Sequence, residues 1–103
     1  MTNKLDQVDH IAIQVENIKK SLDWYLSNFK CKEIYSDKTW AFIQFENIKL
    51  ALITKEQHPF HFAIINKKIH QNSKSKKHRD NSVSKYIKDL DGNKIELIKY
   101  INE

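Results

Sequence analysis

Two short stretches, "DHIAIQV" at Asp9 to Val15 and "FHFAIIN" at Phe60 to Asn66, follow one plan: a histidine, a large apolar residue, an alanine, then more apolar residues. Both are rich in β-branched and apolar side chains over a length that suits a buried strand. A chain that writes the same strand twice folds as two related halves. That settles which residues can be neighbours before any motif is weighed.

Successive side chains on a strand point to opposite sides. In the first stretch Ile11, Ile13 and Val15 share one face, while Val8, His10, Ala12 and Gln14 share the other. His10 is thereby directed away from the side a helix would cover. Asn17 then offers an N-cap, and Ile18, Leu22, Tyr25, Leu26 and Phe29 fall on one stripe at helical spacing, predicting a helix of about twelve residues.

Strands are expected over Glu33 to Asp37, Thr39 to Glu46 and Ile48 to Thr54. The second copy restarts after Pro59, placed where it removes no ladder hydrogen bond. It ends in a hairpin, Val83 to Asp89 and Lys94 to Ile101, around the tight-turn signal Asp91-Gly92-Asn93. The predicted class is α+β: paired βαβββ modules, about 5–55 and 58–102, forming a curled mixed sheet around a cleft with the helices outside. The second module is shortened, since 35 residues separate His61 from Glu96 against 51 from His10 to His61. A polar loop over Asn66 to Ser82 stands where a full helix and strand would.

With 103 residues the chain has the size of one domain. The sequence has no apolar run of the 18 or so residues a membrane span needs, and "MTNKLDQ" lacks a signal peptide's order, so a cytoplasmic protein is expected. The lone Cys31 can form neither an internal disulfide nor a cysteine cage for zinc. A net charge of +5 would suit nucleic acid, but the lysines are scattered apart from "KSKKHR" at Lys74 to Arg79, which argues against such a partner.

In a duplicated βαβββ unit the inward residues of the two first strands face one another. These are His10 and His61, with Ala12 and Ala63 leaving space beside them. On the last strand Ile95 and Leu97 are expected to pack against a helix, which turns Glu96 into the cleft. Two imidazoles and a carboxylate with open positions suit divalent iron, manganese, nickel or zinc. His10, His61 and Glu96 are the candidate ligands, with His58, His70 and His78 as alternatives. Arg79 and Lys85, near the start of the hairpin, could meet an anionic substrate. Trp24, off the helix's apolar stripe, and Trp40, at a strand start, favour a homodimer.

The stretches "VDHIAIQVENIKKSLDWY", "FHFAI" and "SKYIKDLDGNKIELI" closely resemble the vicinal oxygen chelate superfamily, which includes glyoxalase I, methylmalonyl-CoA epimerase, fosfomycin-resistance transferases, extradiol dioxygenases and bleomycin-resistance proteins. The last stretch resembles that family's closing hairpin, with Leu90 where proline is usual. The resemblance implies a divalent metal on His10, His61 and Glu96, and matches Tyr86 to a tyrosine beside metal and substrate in some members. It also implies dimers.

Departures narrow the activity. Glyoxalase I has a fourth ligand, a glutamate, where the nearest residue here is Ala51, unless Gln44 or a water completes the shell. Ala12 stands where the fosfomycin enzymes carry threonine, and extradiol dioxygenases are mostly far longer. The expected function is a small metal-dependent enzyme of the glyoxalase or dioxygenase type, acting on a small, anionic, oxygen-bearing substrate. Alternatives are a metal-free small-molecule binding protein of the resistance type, or a non-catalytic member.

Overall fold

The computed structural model describes residues 5–56, 58–67, 76–77 and 82–100. Its elements run β1 (Val8–Gln14), α1 (Ile18–Asn28), β2 (Lys32–Ser36), β3 (Trp40–Gln44), β4 (Lys49–Ile53), β5 (His61–Ile65), β6 (Lys76–Lys77), β7 (Ser82–Lys88) and β8 (Lys94–Tyr100). The class is α+β, with both parallel and antiparallel strand pairs. Contacts group the chain into two compact units, one of His10–His61 and one of Met1–Asp9 with Phe62–Glu103.

In the His10–His61 unit the strand order is β2-β3-β4-β1. β1 runs parallel to β4, pairing His10 with Lys49, Ala12 with Ala51 and Gln14 with Ile53. β3 runs antiparallel to β4 and sets Phe42 against Ala51 and Trp40 against Ile53. Because side chains alternate, this register fixes two faces. Ile13, Ala41, Ile43, Leu50 and Leu52 lie on one, against Ile18 and Leu22 of α1. Ala12, Phe42, Ala51 and Ile53 form a second apolar cluster on the other, with Trp40 packed against it.

The helix starts where its cap requires. Asn17 is extended, at φ −134° and ψ 114°, and its side-chain oxygen accepts from the Lys20 amide at 2.9 Å. The chain leaves the helix at Phe29, extended again, with its amide donating to the Tyr25 carbonyl at 3.0 Å. The covered stripe is narrower than its spacing suggests. Ile18 and Leu22 are buried, whereas Leu26 and Phe29 keep 36% and 49% of their surface exposed. Ile11, expected under the helix with Ile13 and Val15, is likewise exposed, since α1 reaches only the far end of β1.

In the other unit the order is β5-β8-β7-β6. β5 and β8 are parallel, with Ala63 opposite Glu96; β8 and β7 are antiparallel, with Tyr86 opposite Glu96. The hairpin turn is held by the Asp89 carboxylate, which accepts from the amides of Asp91 and Asn93 and from the Asn93 side chain, each at 2.9 Å. Gly92 takes the left-handed region at φ 87°, where a side chain would be strained. The expected helix over Ile95 and Leu97 is not found among the described residues; both side chains are half-buried. Most of the loop expected over Asn66 to Ser82 lies outside the described residues.

Candidate metal centre

His10 lies on β1 with its side chain on the face of Ala12, Phe42 and Lys49, and burial leaves it 5% exposed. Its ring meets Phe42 edge-on at 5.0 Å between centroids and His61 at 5.9 Å. Three imidazoles of this unit stand in file, because His58 is in turn 5.9 Å from His61.

The approach to β5 sets the second histidine. Gln14 donates its side-chain amide to the His58 carbonyl at 2.9 Å, tying the segment before β5 to β1. His61 is buried, and its Nδ1 lies 2.9 Å from the Pro59 carbonyl. A carbonyl only accepts, so this bond assigns the proton to Nδ1 and leaves the lone pair on Nε2. A histidine oriented in this way by a backbone carbonyl is ready to act as a ligand.

In the other unit Glu96 is 4% exposed, on the face of β8 that also carries Ile98. Its cross-strand neighbours are Ala63, which leaves space, and Tyr86. Burial first, and then the negative charge of Glu96, push the Tyr86 phenol above its usual range. The phenol therefore stays protonated at neutral pH. Ser84, also buried, lies on the same face.

The remaining expectations divide. Lys85 is exposed and stands opposite Leu97, so it projects from the face of β7 turned away from Tyr86 and Glu96. That placement does not favour the substrate contact expected of it. Arg79, His70 and His78 lie outside the described residues. Gln44 shares the face of His10, but its amide donates to the Phe45 carbonyl at 2.6 Å. Sequence reasoning missed Lys49. Its alternation with Ala51 was legible, but only the β1–β4 register places it beside His10.

His10, His61 and Glu96 are all buried and offer two imidazole nitrogens and a carboxylate, a donor set that could hold a metal ion.

No protein-family model matches the sequence, and no curated protein matches it either. Solved structures do share its fold. A hypothetical protein from Bacillus halodurans is 20% identical, with 93% of this chain and 95% of that one covered at a TM-score of 0.75. A methylmalonyl-CoA epimerase in complex with methylmalonyl-CoA and an ammonium ion is 12% identical, with the same coverage and TM-score. The methylmalonyl-CoA epimerase of Mycobacterium tuberculosis is 14% identical, with 96% of this chain and 91% of that one covered at a TM-score of 0.74. The chain thus has the fold of these epimerases, which are members of the vicinal oxygen chelate superfamily.

Proposed function

We propose that this chain is a small metal-dependent enzyme in which His10, His61 and Glu96 hold a divalent ion, and that it acts on a small anionic substrate bearing oxygen ligands. The observation that carries the reading is the pair of buried imidazoles within one unit, His10 and His61, whose ring centroids stand 5.9 Å apart, beside the equally buried carboxylate that Glu96 supplies from the other. Donors bound at about 2.1 Å around a tetrahedral ion stand about 3.4 Å apart, within reach of small side-chain rotations. The reading supposes the duplicated architecture in full, with paired βαβββ modules, the second shortened, curling around a cleft.

A divalent ion there would supply Lewis acidity, polarising a substrate oxygen and stabilising negative charge as it develops. The chain's own residues supply the rest. The Pro59 carbonyl orients His61, and the small side chains of Ala12 and Ala63 leave room beside the ligands. Tyr86, opposite Glu96 on the hairpin, donates a hydrogen bond from its protonated phenol to a substrate oxyanion. Likeness to an epimerase bound to methylmalonyl-CoA makes carboxylate-bearing acyl thioesters the first substrates to try.

No helix among the described residues is long and apolar enough to cross a membrane, and the reading places the enzyme in the cytoplasm. It also carries a homodimer, supported by Trp24 and Phe29, which remain 55% and 49% exposed on α1 and at its end. Light scattering should then give twice the chain mass; a monomer at every concentration counts against the dimer.

Elemental analysis of protein purified without chelator tests the metal. The wild type should carry about one equivalent, and His10→Ala and Glu96→Ala should lose most of it. Equal and negligible metal in all three proteins would rule the reading out.

A further inference from the structure

One strand serves both histidines of the His10–His61 unit. β1 carries His10 and, four residues on along the same face, the half-buried Gln14. The Gln14 side-chain amide donates to the His58 carbonyl at 2.9 Å, and the next carbonyl, that of Pro59, accepts from Nδ1 of His61 at 2.9 Å. The segment from His58 to His61 thus lies alongside β1, bonded to Gln14 at one end, with the His61 ring 5.9 Å from the His10 ring at the other. Packing does little to hold it, since Pro59 and Phe60 are exposed.

We propose that Gln14 is a positioning residue of the metal centre: through the His58-Pro59 backbone it fixes the tautomer and ring orientation of His61, so that both histidine ligands are set from β1. The proposal rests on the metal-centre reading and deepens it. The link is stiff enough for a hold on one carbonyl to set the other. Proline locks its own φ at about −65° and confines the residue before it to extended backbone. With no N–H of its own, Pro59 presents the imidazole with an acceptor alone, which favours the proton on Nδ1 and the lone pair on Nε2. A ring held this way before the ion arrives gives up less freedom on binding it. Without the Gln14 bond the Pro59 carbonyl loses its fixed place, and the tautomer protonated on Nε2 becomes populated.

The test uses the full chain. Gln14→Met keeps the length of the side chain and removes the donor, and Gln14→Asn stays polar but stops a methylene short of the carbonyl. Asn17→Ala, at the helix cap of the same unit, is the control for general loosening. Long-range ¹⁵N correlation spectra of the His61 ring, recorded on metal-free protein at about pH 8, where an ordinary imidazole is neutral, read the tautomer directly. The wild type and Asn17→Ala should show the Nδ1–H form as the main one, and both Gln14 variants a mixture. Zinc titrated against a competing chelator then reads affinity. The Gln14 variants should bind about tenfold more weakly than the wild type, the lower end of the range for partners of metal-bound histidines, and Asn17→Ala equally well.

Spectra and affinities that match the wild type in both Gln14 variants overturn the proposal while the metal centre stands. So does either change without the other, or a loss of affinity that Asn17→Ala shares, since the bond would then serve the fold and not His61. If the wild type takes up no zinc, the metal reading fails and the ring spectra alone decide. A tautomer that depends on Gln14 upholds its hold on His61, and one that does not overturns it.

Discussion

Asp37 shows how a single residue can fix a turn and leave a signature in acid. Burial works to raise its carboxyl, but the hydrogen bonds it accepts outweigh that effect and hold it well below the usual carboxylate range. Its partners are the Tyr35 hydroxyl at 2.7 Å, the Thr39 and Trp40 amides at 2.8 and 3.0 Å, and the Thr39 hydroxyl at 3.0 Å. A carboxylate whose folded value is depressed stabilises the fold above its unfolded value, near pH 4, and loses that contribution as pH falls toward the folded one. The stability advantage of the wild type over Asp37→Asn should therefore be full at pH 6 and shrink steadily below about pH 4 in urea melts. An advantage that stays constant down to pH 2 would show that the carboxylate's charge plays no part. At this same scale His10, His61 and Glu96 were legible in the sequence as candidate ligands, because strand alternation is local. The 5.0 Å contact of His10 with Phe42 was not, because it depends on which strand lies alongside.

Elements were read well where their signals are short-range. The Asn17 cap, the turn around Gly92 and the strand alternation of β1, β3 and β4 each depend on a few neighbouring residues, and the structure carries all of them. What failed depended on distance. The stripe on α1 extends to Phe29, but the helix crosses only the end of β1, so Ile11 and Phe29 stay exposed. The alternation of Ile95 and Leu97 with Glu96 says only that a face is apolar, and nothing about its cover. The cap itself can be weighed. Asn17→Ala removes the acceptor of the Lys20 amide and should cost about 1 kcal/mol in chemical denaturation. Asn17→Asp should restore most of it, while no loss in the alanine variant would mean water serves the amide equally well.

At the scale of the molecule, the two echoing stretches were legible as strands. "DHIAIQV" and "FHFAIIN" became β1 and β5, and the echo extends to the parallel partner each acquires, β4 for β1 and β8 for β5. The partners differ in chemistry: β4 sets Lys49 beside His10, and β8 brings Glu96 beside Ala63, two residues along from His61. One parallel pair thus sets a cation beside a histidine, and the other sets an acid beside an alanine. That division of labour is invisible in the sequence, since strand register arises from long-range pairing. Its sharpest test is the anomalous scattering of zinc in crystals grown with the metal. The account predicts one strong peak at bonding distance from His10, the Nε2 of His61 and the Glu96 carboxylate. A peak elsewhere, or none at these three residues under saturating zinc, would contradict it.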